Sequence, residues 1–435
     1  MQRSNTRFVH LALRTIAVTI VVFLMLGLDG APAVQARSAE NRSGAFLAAA
    51  DTSTRTAFLP QAPRRQEAAI IETAATVTRT VYLPLVFSNR PPRPYRMGFG
   101  ATAISVDQYP EIGSLAAGWY VNWYINSHPP VPNGIEYVQT VSLHQRLTCP
   151  LGSVNAHDRT LCPYVQPYTY DVFPSLAGVI AAAKSRPGSL WLIGNEMDRR
   201  DWPGGHQDEM LPEVYATAYR DLYTAIKSVD PHAQVAIGGV IQATPLRLEY
   251  LTKVWNAYQQ QNSGTPMPVD VWNVHNFIFK EVKGEFGAEI PPGSDALHGV
   301  VYGTDWSHVD MGLFDSQIRA FRQWMKERGQ QDKPLIVSEY GVIYYHDGME
   351  DPTVVQNFML ATFDYFLNTK DCNLGYAADG CRLVQRWAWY SLDDDGTVSS
   401  FNKYGALFDP GTKQITSTGI KFREYAANHY QELSR

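Results

Sequence analysis

The chain has 435 residues, 45% of them hydrophobic, 12% aromatic and 18% charged, which is enough apolar material for a large core and excludes a disordered or collagen-like protein. A formal net charge of −5 provides no basic surface for phosphate backbones, so we expect no nucleic-acid partner. The 10 Trp, 24 Tyr and 18 Phe residues beside that small charged fraction are a balance often found in secreted proteins that stack rings on sugars.

The N-terminal segment has the pattern of a secretory signal. Three arginines among the first 14 residues precede an apolar run at 16–28, and small residues at 31–36 suit cleavage by signal peptidase. We predict a signal peptide over residues 1–36, secretion of the mature chain and no membrane contact after cleavage. A retained anchor helix is the alternative, although the run is shorter than the roughly 20 residues that span a bilayer.

Residues 37–95 differ in composition from the rest of the chain. They are rich in Ala, Thr, Arg and Pro and have no sustained helical or strand periodicity, so we predict a linker. One short apolar run within it, at 81–87, is a candidate edge strand, because Pro84 bars it from a sheet centre.

The four cysteines occur as two local pairs in stretches rich in Gly, Asn, Asp and Pro. Pairing of Cys149 with Cys162 and of Cys372 with Cys381 is the simplest of the three possible connectivities. No CxxC or Cys/His ligand spacing occurs, so we predict two disulfides rather than a metal site. Disulfides also agree with export to an oxidising compartment.

Eight short apolar runs are predicted to be buried strands. They span 97–103, 119–125, 137–143, 190–193, 235–241, 269–274, 335–338 and 386–392. Amphipathic helical stripes lie between them, such as 214–229 and 318–325, the second ending near Gly329. Apolar strands joined by helices specify a parallel sheet, and eight such units fit a (β/α)8 TIM barrel over residues 96–435. A doubly wound open sheet is the alternative, but no Gly-rich phosphate turn follows the first strand.

Two of the predicted strands end in a glutamate. The fourth ends in Ile-Gly-Asn195-Glu196, and the seventh ends in Ile-Val-Ser-Glu339. Because the C-terminal strand ends of a barrel face its active site, each would bring a carboxylate to the mouth. A retaining glycosidase needs a protonated acid and an ionised nucleophile about 5 to 5.5 Å apart. On the alternative interpretation, Asn195-Glu196 is a surface or helix-start pair and Glu339 is a salt-bridged loop carboxylate.

These two motifs resemble those of clan A of the glycoside hydrolases, barrels with the acid/base glutamate after strand four and the nucleophile after strand seven. The resemblance covers most of residues 96–435, including the aromatic run at 386–392 in the last strand. It implies that Glu196 is the acid/base and Glu339 the nucleophile of a double displacement. It also implies that Asn195 hydrogen-bonds the sugar 2-hydroxyl, a contact that strengthens in the transition state.

Other strand ends supply further candidates for substrate binding. Trp389 is predicted to be the stacking platform beneath the sugar, with Trp387 as core, although both could be filler of the barrel interior. Trp123 on strand two and Tyr340 beside Glu339 are also assigned to the site. Aromatic core packing is the alternative interpretation of Trp123.

The sixth strand departs from the clan pattern. Many members place a Tyr there to hydrogen-bond the nucleophile, whereas Phe277 in that position would lack the hydroxyl. His275 is a candidate to orient a substrate hydroxyl or Glu339, and a satisfied core histidine is its alternative. His144 and its neighbour Gln145 end strand three and are further substrate-binding candidates.

An acidic run follows the last strand at 393–396 and is compatible with calcium, but it lacks the spacing of a full calcium loop. We expect a solvated acidic loop there, whose carboxylates could contact sugar hydroxyls. No metal site is predicted.

The sequence therefore predicts a secreted retaining glycoside hydrolase that acts on a polysaccharide or oligosaccharide, as a monomer and without a cofactor. The motif at 118–123 is similar to the second-strand motif of β-1,3-glucanase-type members, while xylosidase-like and cellulase-like members keep xylan and other β-glucans open. The rival function is a non-catalytic carbohydrate-binding barrel or a cell-surface structural protein. Both glutamates and Asn195 argue against the rival, because binding alone does not need two opposed carboxylates.

Overall fold

The computed structural model describes residues 95–150, 153, 155–201, 207–300, 305–342, 351–394 and 403–434. The predicted signal peptide, nearly all of the predicted linker and its apolar run at 81–87 lie outside the described residues. The strands are β1 (Met97–Gly100), β2 (Trp119–Val121), β3 (Glu136–Gln145), β4 (Tyr170–Phe173), β5 (Leu190–Asn195), β6 (Gln234–Gly239), β7 (Trp272–His275), β8 (Leu335–Tyr340) and β9 (Arg386–Tyr390). The helices are α1 (Leu176–Ser185), α2 (Pro212–Val229), α3 (Pro245–Gln261), α4 (Met311–Glu327), α5 (Pro352–Asn368), α6 (Ser417–Asn428) and α7 (Tyr430–Leu433).

Eight of the described strands form one parallel sheet in the order β6-β5-β3-β2-β1-β9-β8-β7. Two isolated parallel bridges, Ala236 to Val271 and Val240 to Val274, join the two edges of this sheet. The sheet is therefore a nearly closed barrel, and the predicted (β/α)8 TIM barrel is confirmed. Each predicted apolar run overlaps one barrel strand, because a strand buried on both faces has no polar alternation to interrupt it.

One strand falls outside the eight-unit prediction. β4 pairs antiparallel with the end of β3, from Ser142 opposite Phe173 to Gln145 opposite Tyr170. It is short and only partly buried, and the proline after Phe173 ends it because proline has no N–H to donate. β3 and β4 together raise one side of the barrel rim.

Alternate residues along each strand face the barrel interior or the helices. The interior is filled by a small cluster: Trp119, Val121, Val138, Leu190, Leu192, Ala236, Val271, Ile336 and Ala388. Because Ala388 faces inward, Trp387 and Trp389 on either side face outward. Trp387 stacks on Phe366 of α5, with ring centroids 5.1 Å apart. Both tryptophans thus belong to the layer between strands and helices, and the interpretation of either as interior filler is wrong.

The acidic run after β9 begins with a buried carboxylate. Asp393 is fully buried and accepts hydrogen bonds from Thr102 N (2.7 Å), Ile104 N (3.0 Å) and Tyr109 Oη (2.9 Å). Asp394 is also buried and accepts from Tyr390 Oη at 3.0 Å. The expected solvated loop is therefore wrong for these two residues. Asp393 joins the end of the last barrel strand to the loop after the first.

A buried arginine organises the connection between β7 and α4. Arg247 of α3 is fully buried and donates to the Glu281 carboxylate at 3.0 Å and to Ala288 O at 2.5 Å. It also donates to Glu289 O and to Asp198 O, the second of which lies two residues after Glu196. This cluster of contacts, which we call the Arg247 hub, fastens residues 281–289 to the helix layer.

Both predicted disulfides are confirmed, with Cys149 bonded to Cys162 and Cys372 bonded to Cys381. Each closes a short loop, of 13 and 9 residues in sequence separation. Among the described residues, no helix combines the length and the hydropathy that crossing a membrane would require.

Candidate active site

Glu196 lies directly after β5 at a sharp change in backbone direction. Its φ is +49°, in the left-handed region that non-glycine residues rarely adopt and that is enriched at functional sites. Its N–H donates to Gly239 O at 3.0 Å, which ties the turn to the end of β6. The side chain is buried, and Arg199 donates to Glu196 Oε2 at 2.9 Å from one turn further along the chain. Arg199 is itself fixed by a 2.9 Å hydrogen bond from its Nε to Gly287 O.

Glu339 is the second carboxylate and lies within β8. It is 9% exposed, and Trp123 Nε1 donates to its Oε2 at 3.0 Å. The Trp123 indole lies across Gly100 at the end of β1, where an added Cβ would come within 2.6 Å of the ring. A glycine at that position is therefore what allows the ring to reach Glu339.

His275 lies between the two glutamates at the end of β7. Its Nδ1 is 3.3 Å from Glu196 Oε1 and 3.7 Å from Glu339 Oε2. One oxygen of each carboxylate and one ring nitrogen all lie within 4.8 Å of one another. The imidazole lies against Gly239 of β6, where a Cβ would be 2.3 Å from Nε2. His275 is thus a member of the site and not a core histidine remote from it.

The two carboxyl groups have different electrostatic surroundings. Burial alone would raise the pKa of Glu196, but the Arg199 guanidinium and His275 together outweigh burial and lower that pKa. Burial raises the pKa of Glu339 to about 7, and the nearby Glu196 charge adds to it, against the opposing effects of His275 and the Trp123 hydrogen bond. For His275, burial lowers the pKa but the two glutamates outweigh it and raise the pKa overall. The surroundings therefore favour the charged form of Glu196 and the protonated form of Glu339.

The same three side chains offer the ligand types that a divalent cation takes in proteins. Arg199 and Trp123, however, already donate to one oxygen of Glu196 and one of Glu339. A guanidinium beside Glu196 also supplies the positive charge that a cation would bring. We therefore interpret the cluster as a proton-sharing group of carboxylates.

Two residues assigned to the site from the sequence lie elsewhere. Tyr340 is fully buried on the helix-facing side of β8, where its ring packs against Trp389 at 5.4 Å. Trp389 is also fully buried, and its Nε1 donates to Gly405 O at 2.8 Å. Their assignment as substrate contacts is wrong. The pairing of β8 shifts register between Val337 and Tyr340, so Glu339 lies beside His275 while Tyr340 packs among the helix-facing aromatic rings.

The remaining assigned residues lie on the C-terminal face of the barrel. Asn195 precedes Glu196, and its backbone N–H donates to Asp208 Oδ2 at 2.8 Å. His144 at the end of β3 has its Nε2 3.8 Å from Asp208 Oδ1. The structure thus brings together Glu196, Glu339, His275 and Trp123, and places His144 beside them behind Asp208.

Sequence reasoning missed Tyr390 and Arg199. Tyr390 follows Ala388 at the inward spacing of two, and its ring lies 5.7 Å from that of Trp123. The signal that could have identified it is its spacing of two from Ala388, which places both residues on the same face of the strand. Arg199 had no such signal, because it reaches Glu196 only through the turn that follows β5.

No protein-family model matches the sequence, and no curated protein sequence matches it either. Solved structures that resemble it include a glucosidase from Croceicoccus marinus, with a TM-score of 0.46 and 13% identity over 76% of this chain and 67% of that chain. A GH128 subgroup II endo-β-1,3-glucanase from Pseudomonas viridiflava has a TM-score of 0.44 and 14% identity over 75% of this chain and 96% of that one. A GH128 subgroup VII oligosaccharide-binding protein from Trichoderma gamsii has a TM-score of 0.43 and 12% identity over 79% and 99%. Likenesses this distant carry no argument about function, which has to rest on the geometry of the site.

Proposed function

We propose that the protein is a retaining glycoside hydrolase, with Glu196 as the acid/base and Glu339 as the nucleophile. The observation that supports this is a pair of buried carboxylates at the ends of β5 and β8 whose nearest oxygens lie within 4.8 Å. Retaining enzymes hold their two carboxyl groups about 5 to 5.5 Å apart, whereas inverting enzymes leave roughly 6.5 to 9.5 Å for a water. The short separation favours double displacement.

The two chemical steps use the same pair of side chains. Glu339 carboxylate attacks the anomeric carbon while Glu196 gives its proton to the leaving oxygen, so the glycosidic C–O bond breaks and a glycosyl ester forms. Water then attacks the same carbon, Glu196 takes the water proton, and the ester bond to Glu339 breaks. Both groups return to their starting protonation.

The first step requires the proton on Glu196, whereas the pKa shifts of the free site favour it on Glu339. His275 lies 3.3 Å from Glu196 and 3.7 Å from Glu339, which makes it the path for this proton. Productive substrate binding in this proposal moves one proton from Glu339 through the imidazole to Glu196. The total charge of the group does not change in that transfer.

The proposed substrate is a polysaccharide or oligosaccharide of β-glucan or xylan type, and the proposed place of action is extracellular. Two disulfides are typical of an oxidising compartment and support secretion. We propose that the mature protein acts as a monomer, without a cofactor, without a nucleic-acid partner and, once the signal peptide is cleaved, without membrane contact.

Hydrolysis of aryl β-glycosides, followed by NMR of the first-formed anomer, tests the proposal. We expect a retained anomer from the natural protein, and turnover that persists in EDTA because no metal takes part. Glu339→Ala should abolish turnover, and added azide should restore it by giving a glycosyl azide of inverted configuration. Glu196→Ala should lose roughly 10² to 10⁴-fold on poor leaving groups and far less on activated ones. An inverted product from the natural protein would overturn both role assignments.

A non-catalytic carbohydrate-binding barrel is the second candidate, and the ion pair between Arg199 and Glu196 favours it. A carboxylate paired at 2.9 Å with a fixed guanidinium is a poor proton donor. On this reading the site would bind a glycan without cleaving it. Measurable binding of an oligosaccharide, with no release of reducing ends over a day at any pH between 4 and 8, would favour binding over hydrolysis.

A further inference from the structure

A cleft of about 230 Å³ lies at the end of β3, where β4 pairs with that strand. It is lined by residues from the end of β3, from β4 and from the loop after β5, among them Gln145, Phe173, Asp201 and Glu209. Its volume is below the roughly 300 to 1,000 Å³ of pockets for drug-sized ligands, which limits the ligand part inside it to about one sugar ring. None of these side chains contacts Glu196 or Glu339 through a described hydrogen bond.

The wall of this cleft contains a buried polar group without a partner among the described residues. Gln145 is 4% exposed, and its Oε1 accepts from Leu211 N at 2.7 Å, which fixes the orientation of the amide. Its Nε2 is buried and makes no hydrogen bond within the described part of the chain. A buried donor without an acceptor is costly to the fold, so its presence in a cavity wall points to a ligand oxygen.

The charges in the cleft favour a neutral ligand. Arg159 pairs with Glu209 at 2.7 Å, and Arg146 pairs with Asp171 at 2.6 Å, so each cation is already matched by a carboxylate. Asp201 adds one further carboxylate, which leaves no excess of positive charge for an anionic ligand. Hydroxyl groups, which both donate and accept, suit such a set of paired polar side chains.

Aromatic rings border the same cleft. Phe173 lines it and is 40% exposed, and Tyr168 is 45% exposed and packs edge-on against Tyr164 in the cleft wall. An exposed ring beside paired polar groups is suited to a molecule with an apolar face and hydroxyl edges. A pyranose ring has both.

Asp208 connects the cleft to the carboxylate pair. It is buried between the two, with His144 of the cleft wall 3.8 Å from Oδ1 and the backbone N–H of Asn195 2.8 Å from Oδ2. Asn195 is bonded directly to Glu196. The cleft wall and the segment that carries Glu196 therefore both contact the Asp208 carboxylate.

We infer that this cleft is a sugar-binding site that receives one residue of the glycan bound across Glu196 and Glu339, with Gln145 Nε2 donating to a sugar hydroxyl and Phe173 against the ring face. The inference rests on the proposed function for the identity of the ligand. A cleft of this kind makes the protein bind extended oligosaccharides more tightly than short ones, because only a longer chain reaches both the cleft and the two glutamates.

Binding is measured by calorimetry in the Glu339→Ala background of the whole chain, with laminari-, cello- and xylo-oligosaccharides of two and four residues. We expect one of the tetrasaccharides to bind at least about tenfold more tightly than its disaccharide. Gln145→Glu keeps the acceptor for Leu211 N but removes the donor, and should weaken tetrasaccharide binding about tenfold, as one lost hydrogen bond does. Phe173→Ala, at a position that is 40% exposed, should weaken it similarly.

Leu176→Ala is the matched control, since Leu176 is an exposed apolar residue three positions after Phe173 that does not line the cleft. It should leave the ratio of the two affinities unchanged. Equal ratios in Gln145→Glu, Phe173→Ala and the control would overturn the inference, as would the absence of tetrasaccharide binding. Weakened tetrasaccharide binding in the two cleft variants, with no hydrolysis by the natural protein, would retain the cleft and reject only the hydrolase proposal.

Discussion

Arg199 is the positive charge that lowers the pKa of Glu196 most. Its guanidinium is held between Glu196 Oε2 and Gly287 O, both at 2.9 Å, and lies 5.8 Å from the ring centroids of Phe279 and Phe286. These contacts leave it in one place, so the charge beside Glu196 is permanent. An acid in this position gives up its proton easily and regains it with difficulty.

Replacing Arg199 by Met should move the basic limb of the kcat/KM profile to higher pH. Without the guanidinium, burial of Glu196 is opposed only by His275, so the pKa of Glu196 rises and the last proton of the pair is kept to higher pH. An opposite charge at this range is worth about 1 to 3 pKa units, and the limb should shift by a similar amount.

The measurement is kcat/KM for an aryl glycoside between pH 4 and 10. Arg199→Lys keeps the charge and serves as the control, with a profile close to that of the natural protein. A profile of Arg199→Met that superimposes on the natural one would show that Arg199 has no electrostatic effect on the reacting groups.

At the scale of elements, the close approach of β6 to β7 sets the position of His275. The two strands meet through isolated bridges only, and the ring of His275 fills the space above Gly239. Because a Cβ at position 239 would lie 2.3 Å from Nε2, the bare glycine backbone is part of the site.

Gly239→Ala should therefore displace the imidazole while the barrel still folds. A misplacement of about 1 Å at a reacting group can cost on the order of 10²-fold, and we expect a loss of that size in kcat. Gly405→Ala is the control, since its Cβ would meet nothing closer than Tyr390 O at 3.5 Å. Circular dichroism checks the fold of both, and full activity in Gly239→Ala would show that His275 needs no fixed position.

The positions of the strands and of the two glutamates could be predicted from the sequence. Which side chains of a strand face the barrel interior could not. Apolar runs located all eight barrel strands, and a polar residue at the end of a run placed Glu196 and Glu339 at the mouth, although their roles stay predictions. Hydrophobicity is equal on the two faces of such a strand, so it could not show that Tyr340 and Trp389 face the helices. β4 escaped because it is short and half exposed, with no run to mark it.

At the scale of the molecule, Asp393 links the two ends of the barrel sequence. It joins β9 to the loop after β1 across sequence separations of 284 to 291 residues, through contacts to Thr102, Ile104 and Tyr109. Buried donors left without an acceptor are costly, so one carboxylate here holds the two ends of the barrel sequence together.

Asp393→Ala should lower the free energy of unfolding by about 3 kcal/mol, because the buried Tyr109 hydroxyl and the partly buried N–H groups of Thr102 and Ile104 lose their acceptor at once. The midpoint of urea unfolding measures this. Asp332→Ala, at an exposed position in the loop before β8, should change stability by less than about 0.5 kcal/mol. Equal midpoints for the two variants would mean that the contacts of Asp393 do not contribute to the stability of the fold.

The Arg247 hub has a consequence for the timing of the reaction. Long connections after barrel strands commonly act as lids that open and close in microseconds to milliseconds, and such motion often limits turnover. Residues 281–289 are instead held by hydrogen bonds from the fully buried Arg247. The carbonyl of Gly287, in the same segment, accepts the hydrogen bond that positions Arg199. Residues 281–289 therefore have a fixed position before any substrate binds. Under the proposed function, substrate entry and product release would not wait for residues 281–289 to move, so this segment is not expected to limit turnover.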